Sequence, residues 1–160
     1  MALKAKEFYM NAALDEAALA NESGDVPIGA VVVRSSDGEI VGRGHNTKER
    51  DKSPLGHAEI NAITDACKNL GVMYLTDCTL YVTLEPCTMC AGGCVNARLG
   101  AVICALKDPK AGAMGSVISV NSYPLNHKIN VEYGVCEKSA REMLRIFFEK
   151  KRMKGRTKYE

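Results

Sequence analysis

Short β-branched runs alternate with helix-length segments along most of this 160-residue chain, and that alternation leaves few architectures open. Residues 5–20 carry Phe8, Ala12, Leu14, Ala18 and Leu19 at roughly helical intervals, which predicts an opening amphipathic helix ended by Ser23-Gly24-Asp25. Ile28-Gly29-Ala30-Val31-Val32-Val33 reads as a buried strand, Ser36-Asp37-Gly38 as a hairpin turn, and Glu39 to Asn46 as the return strand. After a polar loop, Ala58 to Leu70 reads as a helix closed by Gly71. Thr79 to Leu84 is a third strand stopped by Glu85-Pro86, and residues 88–97 fit a short helix rich in small side chains. Ala101 to Ala105 and Asn130 to Tyr133 supply two more strands, and Cys136 to about Arg152 a final helix. Helix, hairpin, then alternating helix and strand predicts an α/β fold in three αβα layers, with helices on both faces of a mixed five-stranded sheet. There is no repeat, low-complexity segment or linker, so residues 1–160 read as a single domain.

Composition excludes some classes and favours others. Apolar residues make up 46% and charged residues 25%, the balance of a soluble globular protein. The longest uncharged run, Ala111 to His127, is broken by Gly112, Gly115 and Pro124, which argues against a membrane span. Lys4, Lys6, Glu7, Asp15 and Glu16 interrupt any apolar leader, so a cytoplasmic protein is expected. Seven cysteines, an odd count, argue against a disulfide framework and for a reducing compartment. Cys78 and Cys104 lie in or beside apolar strand runs and read as small buried hydrophobes. The net charge of +2 is uneven: residues 1–140 carry −3 and residues 141–160 carry +5. The basic tail from about Lys150 reads either as a solvated helix end or as an electrostatic contact with nucleic-acid phosphates.

Two short motifs carry the chemistry. His57-Ala58-Glu59 opens one predicted helix, and Pro86-Cys87-Thr88-Met89-Cys90 spans a strand end and the start of another. Cysteines three apart on a first helical turn share a face, so both sulfurs can reach one ion, and two thiolates with an imidazole suit zinc. Three ligands leave the fourth tetrahedral position open for water, as in catalytic sites. Two thiolates cancel the dication, so the metal acidifies water less than one held by three imidazoles does and needs a base. Glu59 is placed to supply it. Both motifs sit at helix N-termini, which favour thiolates. Positions two apart on a helix point to opposite faces, so His57 or Glu59 must stand at the helix entrance. Cys94, four residues after Cys90, is carried away from the metal by its helix.

The two motifs together form a zinc-deaminase signature. From about residue 5 to residue 152 the chain resembles the bacterial tRNA-specific adenosine deaminases, within the cytidine deaminase-like superfamily. The resemblance lies in Val26-Pro27-Ile28-Gly29-Ala30, Gly44-His45-Asn46, His57-Ala58-Glu59-Ile60 and the run from Leu80 through Glu85-Pro86-Cys87 to Gly92. Asp108 to Ser116 and Asn126-His127 narrow it from the superfamily to the tRNA enzymes. The resemblance implies a cytidine deaminase-like fold, a homodimer, one Zn2+ per subunit, and conversion of the wobble adenosine of a tRNA anticodon loop to inosine. Carried over by position, His57, Cys87 and Cys90 bind the metal and Glu59 shuttles the proton. Asn46 hydrogen-bonds the purine in a pocket formed with Ile28, Ala58 and Leu84, and Asp108 and Lys110 touch the anticodon loop. Two departures stand out: Ser53-Pro54-Leu55-Gly56 replaces the family's Asp-Pro-Thr-Ala, and His45 stands where a large aromatic is frequent.

Two other readings compete. A deaminase of a free nucleoside or base, of cytidine or guanine type, shares the metal site and needs no RNA. A zinc-stabilised RNA-binding module without catalysis needs no proton shuttle, and Glu59 argues against it.

Overall fold

In the computed structural model, which describes residues 2–156, five strands form one sheet in the order β2-β1-β3-β4-β5. The strands are β1 Gly29–Arg34, β2 Ile40–His45, β3 Cys78–Leu84, β4 Ala101–Leu106 and β5 Asn130–Tyr133. β1 pairs antiparallel with β2 and β3, whereas β3–β4 and β4–β5 are parallel, so the sheet is mixed as predicted. The helices are α1 Leu3–Glu22, α2 Lys48–Asp51, α3 Ala58–Leu70, α4 Thr88–Asn96 and α5 Glu137–Arg156. The sequence predicts α3 and β5 to the residue. It does not anticipate α2 inside the polar loop, nor the 3-10 turn Val120–Ser122, and it stops the last helix about four residues early. No described helix is long and apolar enough to cross a membrane. Residues 157–160 of the basic tail lie outside the described residues.

Strand periodicity assigns the two faces. Ala30, Val32, Leu80, Val82, Val102 and Cys104 face α3 and α4, while Val31, Val33, Tyr81, Ile103 and Ala105 face α1 and α5. Helices therefore cover both faces, giving the three layers. Cys78 and Cys104 are buried in the first cluster, as expected of small hydrophobes.

The buried face of α1 is rotated from the predicted stripe. Phe8 and Leu19 are exposed, whereas Leu14 is buried as predicted, and Tyr9, Met10, Ala13, Ala17 and Ala20 pack inward beside it. Glu16 shares that inward face because its carboxylate is paired, 3.0 Å from His45 Nδ1 and 3.7 Å from Arg43. A charged residue on the core side disguised the helical stripe.

The close approach of α3 to β2 fixes the entrance of α3. A Cβ on Gly44 would stand 2.4 Å from the Ala58 carbonyl oxygen and from the Ala62 nitrogen; one on Gly42 would stand 2.4 Å from the Ala62 oxygen. Ala58, Ala62 and Ala66, one turn apart, lie fully buried over these glycines. Small residues on both sides let the backbones approach, and the first turn of α3 is set by that contact.

Candidate active site

The metal-ligating candidates sit at two neighbouring helix starts. His57 is the N-cap of α3 with extended backbone (φ −92°, ψ 147°), which resolves the geometric conflict with Glu59. Because His57 is outside the helix, its ring can turn toward the same region as the Glu59 side chain in the first turn. Asn61 clamps this entrance by donating from Nδ2 to the His45 carbonyl (2.9 Å) and to Thr47 Oγ1 (3.3 Å). On the other side, Pro86 lacks the N–H that would extend the β3 pairing. Cys87 then caps α4, and Cys90 lies buried in its first turn.

These turns bring three donor atoms together. His57, Cys87 and Cys90 each offer one within 4.8 Å of the others, the one such group among the described residues. His57 Nδ1 is 3.6 Å from Cys87 Sγ and 3.5 Å from Cys90 Sγ. Tetrahedral zinc with ordinary Zn–S and Zn–N bonds sets sulfur and nitrogen about 3.6 Å apart, so the spacing and the donor chemistry both fit that ion. Cys94, fully buried in the core beneath α4, is outside the group, as its helix position predicts.

Electrostatics follow the geometry. Hydrogen bonding from Cys90 first, then from His57, holds Cys87 down to about 3, a thiolate at neutral pH. The bond to Cys87, foremost, raises Cys90, and the same partner raises His57. Glu59 is 4% exposed, and burial pushes its carboxyl up to about 7. A carboxyl beside the donor group can both accept and return a proton.

A family model of MafB19-like deaminases matches residues 4–152. The tRNA-specific adenosine deaminase of Aquifex aeolicus (strain VF5) is 45% identical over 148 residues, covering 92% of this chain and 96% of that protein. This chain belongs to the tRNA-specific adenosine deaminase family. The deaminase of that name from Bacillus subtilis (strain 168) is 44% identical over 149 residues, covering 92% of this chain and 91% of its own length. A structure from work on A-to-I editing by tRNA:A34 deaminases at the wobble position superposes with a TM-score of 0.82 at 40% identity. It covers 86% of this chain and 99% of that one, and the cytidine deaminase-like fold follows.

In this deaminase the remaining predicted residues line one end of the sheet. The Asn46 N–H donates to the Ile28 carbonyl (3.0 Å), continuing the β1–β2 pairing by one step. Extending the β1–β3 register by two residues sets Ile28 opposite Leu84, so Asn46, Ile28 and Leu84 stand across three adjacent strands. Ala58 is fully buried beside His57. The Asn46 carboxamide makes no hydrogen bond among the described residues. Leu84, Asp108 and Lys110 meet Leu106, Arg145 and Phe148 in a groove of about 440 Å³ at the same sheet end. Asp108 spends one carboxylate oxygen inside its loop, accepting from the Lys110 and Ala111 N–H groups, whereas the Lys110 side chain is exposed. His45 packs against α1 through Glu16.

In the sequence alone Glu85 stands out only as a strand terminator. It lies 2% exposed between the metal motif and the Asp108–Ser116 segment, accepting hydrogen bonds from that segment. The available signal was a carboxylate directly after an apolar strand, a position where burial demands several donors.

Proposed function

We propose that this chain is a zinc-dependent hydrolase that deaminates adenosine to inosine at the wobble position of tRNA. The observation that carries this reading is the His57–Cys87–Cys90 donor group beside the buried Glu59 carboxyl, in a chain 45% identical to a tRNA-specific adenosine deaminase. His57, Cys87 and Cys90 would hold zinc, which would supply the Lewis acidity that makes water nucleophilic near neutral pH. Glu59 takes a proton on its carboxylate from the attacking water as oxygen adds to C6 of the purine. It returns the proton to N1 and then assists the departure of ammonia, so adenosine and water become inosine and ammonia. Asn46 orients the purine with its unclaimed carboxamide, and Ile28, Ala58 and Leu84 shape the pocket that keeps bulk water from the ring. Splaying the base out of a single-stranded anticodon loop costs little, which suits such a pocket.

The 160 residues work as one domain in the cytoplasm, paired as a homodimer. Asp108 and Lys110 meet the anticodon loop, and the basic segment from about Lys150 meets phosphates. The test is incubation of the zinc-loaded protein with an anticodon stem-loop whose wobble base is adenosine, followed by nucleoside analysis. Inosine at that position is the expected product. Turnover of free guanine or cytidine with no inosine in the RNA would replace this reading with a free-base deaminase.

A further inference from the structure

The Glu85 carboxylate is satisfied almost entirely by one loop. Its Oε1 accepts from the Met114 N–H (3.0 Å), the Ser116 N–H (3.1 Å) and the Tyr133 hydroxyl (3.3 Å). Its Oε2 accepts from the Asp108 N–H (3.0 Å) and from the Ser116 hydroxyl. An ionised carboxylate accepts at about four lone-pair sites and donates at none, which matches a ring made only of donors. A carboxamide in its place would turn an N–H group toward other N–H groups. The loop is also shaped to the carboxylate. A Cβ on Gly112 would stand 2.5 Å from both the carboxyl carbon and Oε2 of Glu85, and 2.6 Å from the Asp108 carbonyl oxygen. Next along the chain, the Pro86 carbonyl accepts from the Ala113 N–H at 2.9 Å. Glu85 and Pro86 together therefore tie residues 108–116 to the strand end that precedes Cys87.

The loop so held carries Asp108 and Lys110 into the groove with Leu84 and Phe148. The metal donors sit on other elements: His57 at the N-cap of α3, and Cys87 and Cys90 at the N-cap and first turn of α4. We propose that Glu85 is a positioning residue for RNA, locking the Asp108–Ser116 loop in the shape that meets the strand flanking the target base. It acts on binding and not on the chemical step, because a loop already ordered spares the RNA the entropy of ordering it. The proposal rests on the wobble-adenosine reading above.

The test uses full-length zinc-loaded protein, with Glu85→Gln and Gly112→Ala made separately. The first removes an acceptor, and the second pushes the loop off an intact carboxylate. On an adenosine-bearing anticodon stem-loop, KM should rise about ten-fold or more in each variant while kcat stays within about three-fold, the split expected when preorganisation alone is lost. Zinc content should remain at the wild-type level, and the amides of Asp108, Met114 and Ser116 should exchange hydrogen faster. Faster exchange with unchanged KM overturns the proposal, since the loop would then be ordered for stability alone. A fall in kcat together with zinc loss also overturns it, by making Glu85 a support of the metal ligands. If Glu85→Gln does not fold, Gly112→Ala carries the same KM comparison. Wild-type protein that makes no inosine overturns the functional reading itself, before any substitution is considered.

Discussion

At the scale of single residues, three neighbours separate chemistry from packing. Glu59 touches no ligand role, so Glu59→Gln should lower turnover by at least about a hundred-fold, the range for a lost general acid–base group, with zinc content unchanged by atomic absorption. Cys90 and Cys94 are both fully buried on α4, but only Cys90 lies within the donor group. Cys90→Ser should therefore reduce metal retention during dialysis against a chelator. Cys94→Ser should keep the metal and cost about 1–3 kcal/mol in denaturant unfolding, because a hydroxyl is placed among apolar atoms. Equal zinc loss in both variants would contradict this division.

At the scale of elements, β2 and β3 do the positioning. A methyl at Gly44 meets the α3 backbone, which cannot swing aside like a side chain end. Gly44→Ala should cost about 1–3 kcal/mol or more by overpacking and should also weaken zinc binding, because the entrance carrying His57 moves. β3 is buried on both faces, and Tyr81 at its centre is 1% exposed with its ring centroid 5.2 Å from that of Tyr9. Burial, with smaller contributions from Tyr9 and Glu132, pushes Tyr81 up to about 12. A pKa raised in the folded state gives stability that is complete below the unfolded value near 10 and lost as pH rises through 12. Unfolding free energy should thus fall between about pH 10 and 12, and Tyr81→Phe should flatten that slope.

Elements were also where the sequence was most and least readable. α3 and β5 were legible to the residue, α3 because Gly71 closes it in a left-handed conformation (φ 64°) after an uninterrupted helical run. The α1 face was not, because Glu16 is buried through partners on β2 that no local pattern reveals. The same limit applies to the site. The His57–Cys87–Cys90 donor group was legible because metal chemistry restricts both residue type and spacing. Glu85 was not, since its donors lie 23 to 48 residues further along the chain.

At the scale of the whole molecule, charge is segregated, with +5 on residues 141–160 and −3 on the rest. α5 carries Lys150, Lys151, Arg152 and Lys154 on its last described turns. Truncation after Glu149 should weaken RNA binding and make it less sensitive to salt, because fewer counterions are released. A slope of log affinity against log salt equal to that of the full chain would remove the tail from the interface.

β3 is the seam where antiparallel pairing gives way to parallel pairing, and it separates the metal donors by history as well as by position. His57 follows the local β1–β2 hairpin, whereas Cys87 and Cys90 ride on the far end of β3 and reach it only once residues 34 and 78 have come together. Hairpins close within microseconds, and longer loops close more slowly. Zinc capture should therefore follow the docking of β3. Until β3 docks, the Cys87 and Cys90 thiols should react with an alkylating reagent faster than in the folded, zinc-loaded protein. Stopped-flow refolding with a zinc indicator should register capture in the final phase; capture in the dead time would show that the donors meet before the sheet does.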